Sequence, residues 1–133
     1  MLFVMDASVT AAWALPDESS EFAYRLLAMA EVDGALVPPL WWYEIRNILA
    51  VSERKGRISP ADSDAFLRHL THMEIKVCEL GDGKAVLRLA RTHQLSVYDA
   101  AYLELALREH CPLGTLDGKL AKAALAESLP IFE

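Results

Sequence analysis

Four acidic residues occupy positions where a carboxylate is unusual. Asp6 directly follows the apolar run 2–5, and Asp117 follows the short run 113–116. Glu44 and Asp99 lie within two segments that are apolar almost throughout, LWWYEIRNILAV and LSVYDAAYLELAL. Asp and Glu side chains are almost never fully buried unless they are paired or bound to a metal. Together these acids form a pattern that packing alone does not require.

Carboxylates that lie close together repel one another, and their desolvation is costly. Such carboxylates persist in a folded protein only if some are protonated or if divalent cations are present. No Cys or His lies at metal-ligand spacing beside these acids, and ligands that are all oxygen favour Mg²⁺ or Mn²⁺ over zinc. A metal ion held by carboxylates suits phosphodiester hydrolysis, because it activates water and neutralises charge in the transition state. The four acids are therefore candidate metal ligands.

Each acid also has a purely structural explanation. Asp6 and Asp117 are in positions typical of turns at strand ends. Asp99 is a possible helix N-cap, and Glu44 could point into solvent. These alternatives stay open for each residue taken singly, and they are weaker for the four taken together.

The elements that must position these acids follow from the hydrophobic pattern. Short apolar runs at 2–5, 35–37, 75–78, 113–116 and 130–132 predict about five short strands, and helical periodicity fills the segments between them. This alternation indicates a doubly wound α/β domain with a mostly parallel sheet and helices on both faces. Ligand sites in such sheets lie beyond the carboxyl ends of the strands. Asp6 and Asp117 are therefore expected at the same edge.

Two local features refine this prediction. Ser8 is expected to cap a short helix that ends before Pro16. Lys76 interrupts the third apolar run, which predicts that this strand lies at an edge of the sheet.

Length and composition limit the class of protein. A chain of 133 residues fits a single domain spanning 1–133. A hydrophobic content of 53% excludes disorder. The net charge of −6 argues against a simple basic nucleic-acid-binding surface, but it leaves a nucleic-acid enzyme possible. The sequence shows neither a signal peptide nor a stretch long enough to span a membrane, so the expected location is the cytoplasm.

Four motifs follow one another along the chain: MDASV, PPLWWYEIRN, LSVYDAAYLELA and GTLDGKLAKAA. Together they resemble the motifs of the PIN-domain ribonucleases, in particular the VapC-type toxins of toxin–antitoxin pairs. The resemblance implies a PIN fold and Mg²⁺-dependent endoribonuclease activity, with Mn²⁺ as a possible substitute. It also implies a homodimer and inhibition by a VapB-like antitoxin. The site residues that it implies are the acids Asp6, Glu44, Asp99 and Asp117, with Thr115 and Asn47 orienting carboxylates or waters.

Other functions on a doubly wound fold fit less well. A phospho-accepting receiver domain needs an acidic pair after the first strand, where this chain has Asp6 followed by Ala7. An aspartyl phosphatase needs Asp-x-Asp, which is here Asp-Ala-Ser. The remaining alternative is a non-catalytic α/β signalling or RNA-binding module with a vestigial acidic site.

The segment 40–55 predicts a helix that is apolar on more than one face. A sheet can cover only one side of it, so we expect the other side, anchored by Trp41 or Trp42, to lie at a protein interface. The alternative is that both tryptophans pack inside the monomer. The cations Arg54, Lys55 and Arg57 either contact RNA phosphates or simply complement a helix C-terminus.

Overall fold

The computed structural model describes residues 1–132 and contains a four-stranded parallel sheet. The strands are β1 (Val4–Met5), β2 (Ala35–Val37), β3 (Ile75–Val77) and β4 (Leu113–Gly114), in the order β3-β2-β1-β4. In β1, Val4 lies between Leu36 of β2 and Leu113 of β4. The predicted α/β class with a parallel sheet is confirmed.

Seven α-helices connect and follow the strands within residues 1–132. They are α1 (Ala7–Ala14), α2 (Glu21–Asp33), α3 (Pro39–Arg54), α4 (Pro60–Thr71), α5 (Gly83–His93), α6 (Val97–Glu109) and α7 (Gly118–Ala126), with a short 3-10 helix at Pro16–Glu18. In this part of the chain no helix has the length and apolar character needed to cross a bilayer.

The strand order determines where the helices pack. The chain steps from β1 to β2 to β3 in one direction, then returns across the sheet to β4 on the other side of β1. Right-handed crossovers therefore place α1 to α4 on one face and α5 and α6 on the opposite face. The direction of winding reverses between β1 and β4, and ligands bind at such a switch point in open α/β sheets.

Burial follows from this two-sided covering. Phe3, Val4 and Met5 are completely buried, as expected for a central strand covered on both faces. In β3, by contrast, Lys76 and Val77 are exposed. The strand order confirms the prediction that β3 is an edge strand.

The predicted fifth strand at 130–132 is not formed, so the sheet has four strands rather than about five. Pro130 lacks the N–H that a strand would donate. The preceding residue, Leu129, instead donates its N–H to Ala124 at the end of α7, at 3.2 Å. The segment contributes to the core through Phe132, whose ring packs edge-on against Phe3 with centroids 5.6 Å apart.

Candidate active site

Asp6 lies at the junction of β1 and α1. Its side chain is 5% exposed, and its Oδ1 accepts a hydrogen bond from the Val9 N–H at 3.2 Å, so Asp6 itself is the N-cap of α1. The prediction that Ser8 caps this helix was wrong. Ser8 lies within the first turn, and its hydroxyl donates to Asp6 Oδ1 at 2.6 Å. The acid is therefore held by its own helix.

Thr115 connects Asp6 to the end of β4. Its buried hydroxyl donates to Asp6 Oδ2 and accepts from the Asp117 N–H at 3.0 Å. The Asp117 side chain in turn caps the N-terminus of α7. A second connection runs in parallel, because the Leu116 N–H donates to the Ser8 hydroxyl at 3.0 Å. The ends of β1 and β4 are thus joined by two hydroxyl groups.

Glu44 and Asp99 reach the same region from α3 and α6. Asp99 lies in the first turn of α6, where Ser96 and not Asp99 is the N-cap. Glu44 lies in the second turn of α3 and does not simply point into solvent, because Tyr102 of α6 donates its hydroxyl to Glu44 Oε1 at 2.5 Å. One turn of α6 therefore carries both an acid of the site and a partner for another acid.

The electrostatics show that the four acids are neighbours. Burial is the main cause that raises the pKa of Asp6, and hydrogen bonds from Ser8 and Thr115 oppose it. Burial also raises the pKa of Glu44, with further contributions from the charges of Asp6 and Asp99. The pKa of Asp99 is raised by burial and by the charge of Asp117. Each acid thus interacts with at least one other.

The donor set suits a hard cation. The groups that meet here are carboxylates and hydroxyls, which are the ligands of Mg²⁺ and Mn²⁺. Within residues 1–132, no three carboxylate, imidazole or thiolate groups converge closely enough to form a ready-made metal site. Mg²⁺ does not require one, since it is usually held by one or two carboxylates and keeps several waters.

Two hydrogen bonds that connect α3 to the backbone of Asp6 were not predicted from the sequence. Trp41 is buried and donates from Nε1 to the Thr10 hydroxyl at 2.9 Å. Thr10 in turn donates to the Asp6 carbonyl oxygen at 3.3 Å. Trp41 therefore fastens α3 to α1 within the monomer, which is the alternative considered for this residue. The sequence offers a weak signal, a tryptophan three residues before Glu44 in an apolar helix.

Asn47 faces a groove beside the acids. The groove has a volume of about 560 Å³ and runs from Ser8 and Leu116 along α3 to Arg57. Among the described residues, Asn47 forms no hydrogen bond with any of the four acids. Arg57 lies at the other end of the groove and forms an ion pair there, with its guanidinium 2.9 Å from a carboxylate oxygen of Asp17.

The remaining aromatic residues of α3 lie on the surface. Trp42 is 44% exposed and Tyr43 is 71% exposed, and their rings pack edge-on with centroids 5.0 Å apart. The Arg46 guanidinium lies 3.7 Å from the centroid of the Trp42 ring. The two tryptophans therefore differ, since only Trp42 is available to a partner.

Comparisons with known proteins agree with this architecture. The family model described as the PIN domain matches residues 3–125. A curated relative, Ribonuclease VapC3 of Pyrobaculum aerophilum, is 35% identical over 126 residues, which cover 92% of this chain and 94% of that protein. The crystal structure of PAE2754 from Pyrobaculum aerophilum superposes with a TM-score of 0.73 at 26% identity, covering 92% of this chain and 84% of the other. The chain therefore belongs to the PIN-domain family, as a homologue of a VapC ribonuclease.

Proposed function

We propose that this protein is a Mg²⁺-dependent endoribonuclease and the toxin of a VapBC-type toxin–antitoxin pair. The observation that carries the proposal is that each of the four acids interacts with another, Glu44 with Asp6 and Asp99, and Asp99 with Asp117. The 35% identity to Ribonuclease VapC3 supports ribonuclease activity. We take 1–133 to form one PIN domain that acts in the cytoplasm.

The four acids would hold Mg²⁺, or Mn²⁺ in its place. The bound ion supplies an activated water and neutralises charge on the phosphate that is attacked. Thr115 and Ser8 keep the Asp6 carboxylate oriented through their hydrogen bonds. Asn47, facing the adjacent groove, is proposed to orient a water or the substrate. No side-chain nucleophile is needed, because water attacks the phosphorus.

Helix ends make the site compatible with a polyanion despite the net charge of −6. Asp6 and Asp117 cap α1 and α7, and Asp99 lies in the first turn of α6. The partial positive charge at a helix N-terminus favours an anion there, whether carboxylate or phosphate. Because Asp6 and Asp117 already accept from first-turn N–H groups of their helices, RNA would bind mainly through the cation rather than through a basic surface.

Two protein partners complete the proposal. The groove beside Ser8 is walled by the apolar side chains of Ala11, Ile48, Val51 and Leu116, which suits an apolar segment of a VapB-like antitoxin. An antitoxin arginine reaching Asp6 or Asp99 would compete with the metal, because a guanidinium pairs well with a carboxylate. The exposed pair Trp42 and Tyr43 is proposed to contribute to a homodimer interface.

The test is cleavage of RNA by the purified protein with and without EDTA. We expect cleavage in Mg²⁺ or Mn²⁺, none in EDTA, and products with a 5′-phosphate and a 3′-hydroxyl. Undiminished cleavage in EDTA, or 2′,3′-cyclic ends, would exclude metal-dependent hydrolysis. No cleavage of any RNA in either metal would favour the non-catalytic module instead.

A further inference from the structure

Tyr102 lies at the centre of the acidic site although it cannot itself bind a hard cation well. Its side chain is 1% exposed, and its hydroxyl donates to Glu44 Oε1 across a separation of 58 residues in the sequence. The charges of Glu44, Asp6 and Asp99 all act on the phenol. The phenol therefore presents a hydrogen-bond donor to Glu44 from a buried position.

Glu44 is the acid that most needs such a donor. Asp6 and Asp117 are fixed by capping their own helices, and Asp99 is one turn into α6. Glu44 lies inside α3, where backbone N–H groups are already used, and its longer side chain has more freedom. Asp6 and Asp99 repel it. Among the described residues, Tyr102 is the one hydrogen-bond donor to this carboxylate.

We propose that Tyr102 is a positioning residue for Glu44. Its hydroxyl holds Oε1 and keeps the carboxylate facing Asp6 and Asp99, so that Oε2 is available to a divalent cation. Without the hydroxyl, repulsion would turn Glu44 toward solvent, because this side chain is only partly buried. This inference rests on the proposed metal-dependent function and adds a residue that acts on the metal only through Glu44.

The experiment measures Mn²⁺ binding by isothermal titration calorimetry, independently of RNA cleavage. Partners that orient a metal ligand typically change metal affinity about 10- to 100-fold when they are removed. We expect Tyr102→Phe to weaken Mn²⁺ binding by a factor in this range. Tyr98→Phe is the matched control, since Tyr98 is one turn earlier on α6 and 66% exposed, and it should bind as the wild type does.

A second variant separates positioning from general damage to the site. If Tyr102 acts through Glu44, then adding Tyr102→Phe to Glu44→Ala should weaken Mn²⁺ binding no further. Equal losses in both backgrounds would overturn the proposal, and so would wild-type affinity in Tyr102→Phe. Wild-type protein that binds no Mn²⁺ would overturn the proposed function as well, which distinguishes the two failures.

A measurement on the unmodified protein covers the case in which Tyr102→Phe does not fold. In wild-type protein carrying ¹³C-labelled tyrosine, the ring signals of Tyr102 should shift as Mg²⁺ is added, because Glu44 changes its charge environment. The ring signals of the exposed Tyr24 should not shift in the same titration. A Tyr102 signal that is insensitive to saturating Mg²⁺ would contradict the proposal.

Discussion

Replacing Thr115 with valine tests how the site holds its most buried acid. The Thr115 hydroxyl donates to Asp6 Oδ2 and accepts from the Asp117 N–H at 3.0 Å. Both side chains of the first pair are buried, with Thr115 8% exposed and Asp6 5% exposed. The valine side chain has nearly the same shape as that of threonine, but it can neither donate nor accept a hydrogen bond. The substitution therefore removes two hydrogen bonds and leaves the packing almost unchanged.

The expected loss of stability follows from these two bonds. A hydrogen bond to a charged group contributes about 1.5–3 kcal/mol and a neutral one about 0.5–1.5 kcal/mol. Their sum predicts that the free energy of unfolding of the metal-free protein falls by roughly 2–4.5 kcal/mol near neutral pH. For a domain of this length the melting temperature shifts by about 3–4 °C per kcal/mol, so a fall of roughly 6–18 °C is expected.

The loss should depend on pH. Burial raises the pKa of Asp6 above its usual value, and the Thr115 hydroxyl opposes this by stabilising the charged form. A carboxyl group whose pKa is raised by folding favours the folded state at low pH, and this contribution is lost as pH rises through the folded pKa. Thr115→Val raises that pKa further, so it should cost more near pH 7 than near pH 4.

The assay is urea unfolding in EDTA at both pH values. Thr115→Ser is the control, because it keeps the hydroxyl and should retain most of the stability. An unchanged urea midpoint for Thr115→Val near pH 7 would refute the inferred role of the hydroxyl. An equal loss at both pH values would refute the link to the charge of Asp6.

Two further predictions concern the acids and the surface. Asp6→Asn and Asp99→Asn should each abolish RNA cleavage, while the metal-free melting temperature of Asp99→Asn near neutral pH stays level or rises, since burial and the charge of Asp117 oppose its charged form. A marked drop in the melting temperature of Asp99→Asn would instead favour a purely structural role at the start of its helix. Trp42→Ala should lower the mass measured by light scattering from dimer to monomer while the monomer stays folded, because Trp42 is outside the core. A wild-type protein that is already monomeric would rule out the proposed interface.

The parts of the fold that could be predicted are those determined by local sequence. Buried strands such as 35–37 are recognisable as short apolar runs, and Lys76 marked the edge strand. The strand-end rule predicted that Asp6 and Asp117 would lie at the same edge of the sheet, and the Thr115 hydroxyl bonds to both residues there. The prediction of a fifth strand was wrong, because the apolar pattern of 130–132 does not reveal that the preceding residue, Leu129, hydrogen-bonds to Ala124 in α7.

The contacts that hold the acids could not be predicted, because they join distant parts of the chain. The hydrogen bond from Trp41 to Thr10 spans 31 residues, and the one from Thr115 to Asp6 spans 109. Periodicity indicates which face of a helix is buried but not which polar atom on a neighbouring helix it meets. Only the packing of α1, α3 and α6 against the sheet determines these pairs.

The arrangement of the acids explains how a metal-free chain can tolerate them. Asp6 and Asp117 cap helices and Asp99 lies in a first helical turn, so partial positive charge at three helix N-termini offsets part of the repulsion. Backbone hydrogen bonds to their carboxylates keep Asp6 and Asp117 in place whether or not a cation is bound. Glu44 lacks this support, because it projects from the interior of α3. The site therefore combines two acids fixed by capping their own helices with Glu44, which has no backbone donor, and we expect the Tyr102 hydroxyl to influence metal affinity through Glu44.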